Sequence, residues 1–197
     1  MTMQLFLDVD GVILDFEKGF MEHIRSTYHP ELPAGYRPKT WDMDGEFADV
    51  DIEVAWDEYT ISEDFTQLDL IAERDSFNEL NRKYGIWLVT NLPDKLKSYR
   101  LKNLQWHGLE YRGLLLGGHH DFEISGYPKK SQIIRLFRDP LQRVVFLDDH
   151  PTNCHDVAQA FPDGKVFLMT RPHNQEVDHP FERVAHWGEF VSALEKI

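Results

Sequence analysis

Gln4-Leu5-Phe6-Leu7-Asp8-Val9-Asp10-Gly11-Val12 is an apolar run that ends abruptly in two acids and a glycine. A strand buried on both faces of a parallel sheet reads this way, because neither face can carry polar side chains. Four more runs share the pattern, at 86–90 (IWLVT), 114–116, 144–147 and 166–169. Helical patterns fall between them, at 71–84, 94–106, 131–137, 152–161 and 186–196. Strands alternating with helices predict an α/β fold: a doubly wound, Rossmann-like parallel sheet that takes residues 4–9 as its first strand.

Residues 16–69 break this rhythm. They hold helical patterns at 16–28 and 52–59, separated by a Pro- and Gly-containing loop with Trp41, Asp42, Met43, Asp44 and Phe47. No strand–helix repeat fits there. The pattern predicts a small helical cap, 16–69, inserted after the first strand of a core made of 1–15 and 70–197.

In open α/β sheets, ligands bind beyond the carboxyl ends of the strands. The residues just past each run are therefore the candidates. Asp8 and Asp10 follow the first run, Thr90 and Asn91 close the second, and Asp148 and Asp149 follow 144–147. Lys129 and Lys130 open the helix before that last strand. Four carboxylates in one crevice would raise each other's pKa. A divalent cation resolves the conflict, and Mg²⁺ favours such oxygen ligands. Asp8 and Asp148 are the candidate direct ligands. Asp10 would add its backbone carbonyl, and Asp149 would bind directly or through a water.

Asp8 and Asp10 stand two apart on what reads as extended chain, so their side chains point the same way. One can attack phosphorus while the other serves the leaving oxygen. Thr90 and Asn91 can hydrogen-bond phosphoryl oxygens, and Lys129 or Lys130 adds a positive charge there. Singly, each signal has an ordinary explanation. A turn gives D-x-D-G, a solvated surface gives a lysine pair, and Asp148-Asp149 can cap a helix. The weight lies in all four sets standing in chain order at the correct ends of their elements.

These residues resemble the motifs of the haloacid dehalogenase (HAD) superfamily. LFLDVDGV looks like its first motif, WLVTN its second, Lys129 or Lys130 its third, and VFLDDHPTN its fourth. The resemblance implies a phosphatase with Asp8 as nucleophile, Asp10 as acid/base, Thr90 and a lysine on the phosphate, and Asp148 and Asp149 at the metal. It also makes 16–69 a C1-type cap. Dehalogenase members lack the second acid of the first motif, so Asp10 favours the phosphatase branch. A narrower similarity links DVDGVILDFEKGF, residues 170–174, Arg183, His186 and Trp187 to the 5'(3')-deoxyribonucleotidase family. Asn91 departs from that family's usual Ser, and the span from Lys130 to Asp148 is longer than its pattern.

The formal net charge of −13 argues against a long nucleic acid as partner. It leaves small anionic substrates open, since a metal and a few cations invert the local field. The expected partner is a small phosphorylated metabolite, with nucleotides among the candidates. A nucleic-acid 3'-phosphatase, a non-catalytic binding domain of the same fold and a phosphomutase are the alternatives. A single cysteine, Cys154, excludes an internal disulfide framework, and no apolar run is long enough to span a membrane. With no signal-peptide pattern at the start, these features predict a soluble, cytoplasmic protein. Among the cap aromatics, Trp41 and Phe47 lie in the polar loop and are the candidate contacts to a substrate base. Phe16, Phe20, Trp56 and Phe65 are expected mainly to build the cap's own core.

Overall fold

The chain is described by a computed structural model, which covers residues 2–40, 43, 45–117, 128–176 and 178–197. β1 (Met3–Leu7) is buried at every position and sits inside a six-stranded sheet. On one side it pairs with β2 (Ile86–Thr90), which pairs with β3 (Gly113–Leu116). On the other it pairs with β4 (Arg143–Asp148), followed by β5 (Lys165–Met169) and β6 (Glu182–Val184). All five pairings are parallel, in the order β3-β2-β1-β4-β5-β6. The chain therefore winds outward in both directions from β1 and β4. Such a switch point opens a crevice at the carboxyl ends of the strands.

Among the described residues, seven α-helices cover this sheet and its insertion: α1 (Phe16–Thr27), α2 (Ile52–Thr60), α3 (Arg74–Tyr84), α4 (Lys97–Trp106), α5 (Lys130–Phe137), α6 (Pro151–Ala160) and α7 (Trp187–Leu194). Alternation along β1 sends Leu5 and Leu7 to one face and Phe6 to the other. The first face packs with Phe77 and Leu80 of α3, Leu104 of α4 and Phe190 of α7. The second packs with Ile134 of α5 and with Cys154 and Val157 of α6. Five of the six strands were legible as apolar runs. β6 was not, because it is a three-residue edge strand carrying Glu182 and Arg183.

Of the boundaries that differ from the sequence expectation, two have a clear local reason. The first strand stops at Leu7 rather than residue 9, because the chain coils there: Val9 O accepts from Ile13 N at 2.8 Å and Leu14 N at 2.9 Å. The third helix starts at Arg74 rather than residue 71, because the chain up to Ala72 is held against the first loop: Leu70 bridges Leu14, and Ile71 N and Ala72 N donate to Ile13 O at 2.8 and 3.4 Å.

The insertion leaves and re-enters the core at one point. Leu14 bridges Leu70 antiparallel, and Asp15 N donates to Asp69 O at 2.9 Å. Asp15 then caps α1 by accepting from Lys18 N at 3.1 Å, and Asp51 caps α2 by accepting from Val54 N at 3.2 Å. Phe16, Phe20, Tyr59 and Phe65 interlock as rings, with centroids 5.6–6.3 Å apart, and join the core on the α3 face. Among the described residues no helix is long and apolar enough to cross a membrane.

Candidate active site

The registers Leu7↔Leu88 and Leu7↔Leu147 bring the ends of β2, β1 and β4 level. Asp8 leaves β1 beside Asp148, the last residue of β4, while Thr90 closes β2 on the other side. The Asp8 N–H donates to Leu147 O at 2.9 Å, which fixes that neighbourhood. Lys130, at the first turn of α5, reaches between the two acids. Its Nζ lies 2.7 Å from Asp8 Oδ1 and 2.7 Å from Asp148 Oδ2. Lys130 and Asp148 stand 18 positions apart in the chain, which does not prevent this contact.

Carboxylate oxygens of Asp8, Asp148 and Asp149 all lie within 4.8 Å of one another, and all three residues are buried. Burial pushes the Asp8 carboxyl well above its ordinary range; Lys130 opposes this, and Asp148 and Asp149 reinforce it. Burial also pushes Asp149 up to about 7, against the pull of His173. Burial works against a charged Lys130, but Asp148 and Asp8 outweigh it and keep the ammonium protonated. Three buried acids thus stand around one fully buried ammonium, which meets two of them, while His173 Nε2 lies 3.8 Å from Oδ2 of the third, Asp149. That cluster, together with an all-oxygen donor set, fits a hard divalent cation.

Asp10 does not stand beside Asp8 on extended chain, as its spacing suggested. The coil after Leu7 intervenes, and its carboxylate pairs with Arg100 of α4 while still feeling the charge of Lys130. Arg100 Nη2 lies 2.7 Å from Oδ1 and 2.9 Å from Oδ2. Gly11 makes the coil possible with a φ of +74°.

Lys129 is corrected by the structure. It is exposed at the N-cap of α5, while Lys130 is wholly buried at the acids. One residue along a helix start turns the side chain by about 100°, so only one of the pair can face the crevice. Thr90 is 1 % exposed, and its Oγ1 has no hydrogen-bond partner among the described residues. Asn91 follows it, half-buried. Phe47 is also corrected: it is buried in the cap, its ring 5.5 Å from His29 and 6.1 Å from Tyr36. The loop around it folds back through Glu46, which accepts from Tyr36 Oη and from Lys39 N, so Phe47 points inward. Trp41 lies outside the described residues.

Sequence reasoning missed Arg100, although a signal was present. Leu96, Arg100 and Leu104 are spaced four apart on one helix stripe, and all three are buried. A charge on a buried stripe needs a partner. The 170–174 stretch also reaches the site. Arg171 Nε donates to Gly11 O at 2.6 Å, and Asn174 Nδ2 donates to Asp149 O at 2.7 Å. His173 Nε2 lies 3.2 Å from the same carbonyl. This segment buttresses the acid loops from the C-terminal side.

No family model and no curated protein sequence matches the chain. Solved structures do. An L-2-haloacid dehalogenase from Xanthobacter autotrophicus is similar over 100% of both chains, with a TM-score of 0.64 at 8% identity. A haloacid dehalogenase-like hydrolase from Streptococcus pneumoniae is similar over 98% of both chains, with a TM-score of 0.62 at 13% identity. The HAD-hydrolase YfnB from Bacillus subtilis, solved with magnesium bound, is similar over 98% of this chain and 99% of that one, with a TM-score of 0.61 at 16% identity. The chain has the HAD-like fold. At such identities the likeness speaks for the fold and not for the reaction. Neither the narrower nucleotidase resemblance nor a choice between dehalogenase and phosphatase follows from it.

Proposed function

We propose that this HAD-like chain is a Mg²⁺-dependent phosphomonoesterase that works through an aspartyl-phosphate on Asp8. The observation that carries the reading is the buried acid cluster itself: Asp8, Asp148 and Asp149 together, with Lys130 between the first two and His173 Nε2 3.8 Å from the third. Asp8, Asp148 and Asp149 would hold the cation, with the Asp10 carbonyl as a further donor. When bound, such an ion offsets the acids' charge and that of the phosphoryl oxygens.

The protein's own groups divide the remaining work. Asp8 attacks phosphorus as the bond to the leaving oxygen breaks, and Asp10 donates its proton to that oxygen. Asp10 then takes a proton from the water that attacks the aspartyl-phosphate, and the bond from Asp8 to phosphorus breaks. Lys130 and the Thr90 hydroxyl, which has no hydrogen-bond partner among the described residues, would receive phosphoryl oxygens. Asn91 is a further candidate donor.

The substrate is a small phosphorylated metabolite, and the nucleotidase-like residues at 170–174 keep a nucleotide among the candidates. A dehalogenase reading, prompted by the names of some structural neighbours, leaves Asp10 and the acid pair without a task. The deciding test is turnover of p-nitrophenyl phosphate with and without Mg²⁺, beside chloride release from 2-chloropropionate. Phosphate release that needs Mg²⁺ and disappears in Asp8→Asn supports the proposal. Chloride release without metal refutes it.

A further inference from the structure

We propose that Arg100 is the positioning residue of the acid/base, holding the Asp10 carboxylate in place while itself held beneath the cap. This rests on the phosphatase reading above and deepens it at the same site.

Arg100 is fully buried, and the nearest carboxylate to it is that of Asp10, which it meets at 2.7 and 2.9 Å. Its Nε and Nη1 are buried without a hydrogen-bond partner among the described residues. A buried guanidinium with two idle nitrogens is costly, and a chain that only needed stability would place an apolar residue there. The charge therefore has its use at Asp10. The coil that carries Asp10 has few other means to fix that side chain, which is 17% exposed.

The far side of Arg100 is equally constrained. Its guanidinium carbon lies 4.7 Å from the centroid of Phe65, in the cap's returning segment. One turn along α4, Asn103 Nδ2 donates to Phe65 O at 3.2 Å. One further turn along, His107 Nε2 lies 2.7 Å from Leu68 O. Positions 100, 103 and 107 share a helix face, so α4 grips the cap at three points and touches the acid/base at one of them. The orientation of Asp10 is thereby tied to the seating of the cap.

Proton donation matters only when the leaving oxygen is a poor leaving group. The value of kcat/KM reports steps up to loss of that group, so it isolates this role from later hydrolysis. The test compares wild type, R100M, R100K, D10N and D10N/R100M on p-nitrophenyl phosphate and on n-propyl phosphate, with Mg²⁺ present. General acids are worth about 10²–10⁴-fold. R100M should therefore lose about 10–100-fold in kcat/KM on the alkyl ester and less than about threefold on the aryl ester. R100K, which keeps the charge without the planar fork, should recover part of the alkyl activity. In the D10N background R100M should cost less than about twofold, because its action runs through Asp10. The double variant also guards against misfolding, since D10N removes the carboxylate that R100M alone would strand.

Equal losses on both esters, or a full loss repeated in the D10N background, overturn the inference while leaving the phosphatase reading intact. A wild-type protein that cleaves neither ester overturns both.

Discussion

A Cβ built on Gly11 would lie 2.0 Å from Asp149 Oδ2. The first acid loop and the second thus touch at a point where no side chain fits. The residue's φ of +74° excludes most other residues on its own account. Gly11→Ala should therefore displace Asp149 from the triad as well as strain the coil. Activity should fall by at least about 100-fold, the scale at which a misplacement of about 1 Å acts. The apparent Mg²⁺ affinity, read by titrating activity or thermal stability, should weaken with it. An alanine variant with unchanged Mg²⁺ dependence would separate the two loops.

Among the described residues, Lys130 is the ammonium that meets both Asp8 and Asp148. Removing one partner of a buried ion pair costs about 3–5 kcal/mol, because the other partner is stranded. Lys130→Met should accordingly lower the melting temperature markedly in EDTA. Mg²⁺ should return a larger share of stability to this variant than to wild type, since the cation then carries the whole of the compensation. Lys129→Met, at an exposed position, should change neither. Equal effects of the two substitutions would contradict the assignment of Lys130.

The acids also set how stability depends on pH. In the metal-free chain burial raises Asp149 from its ordinary 3.8 to about 7, and raises Asp8 in the same direction. A group raised on folding favours the folded state while it is protonated in that state, and this contribution is lost as pH climbs through the folded value. His173 is raised as well: burial would lower it, but its bond to Glu17 and the charge of Asp149 prevail, so its contribution fades in the same sense. Burial would raise Asp15, but bidentate Arg37 outweighs it and holds the carboxyl low, so it titrates outside this window. The melting temperature in EDTA should thus fall between pH 5.5 and pH 8. Mg²⁺ competes with these protons and should stabilise more at pH 8 than at pH 5.5. A metal-induced shift that is the same at both values would count against the triad as the binding site.

The fold was readable because strands buried on both faces leave an unbroken apolar signature. Leu5, Phe6 and Leu7 are all fully buried, and so are Val145, Phe146 and Leu147. The acids were readable because the signature stops where they begin. What stayed hidden was direction. Asp8 and Asp10 are two residues apart, yet Gly11 coils the chain and sends them to different cations, Lys130 and Arg100. Lys129 and Lys130 are chemically alike, and only the phase of the helix start separates them. Arg100 was concealed by type, because arginine in an amphipathic helix is normally solvated. Its place on the Leu96–Leu104 stripe was the clue.

Phe47 is a further case in which burial overrides a surface reading. Its place in a polar loop predicts contact with a base, but it is buried against His29 and Tyr36 inside the cap. Truncating a buried Phe to Ala costs about 3–5 kcal/mol, so Phe47→Ala should loosen the cap and lower stability outright. Phe47→Leu fills most of the same volume and should be tolerated far better. The sharper measurement is therefore on the leucine variant. If Phe47 only packs, the ratio of KM for a nucleoside monophosphate to KM for n-propyl phosphate should stay within about twofold of wild type. Loss of a stacked base would cost about 1–3 kcal/mol, which is about 5–150-fold in that ratio. A selective rise of that size would return Phe47 to the substrate and show that the cap opens enough to expose it.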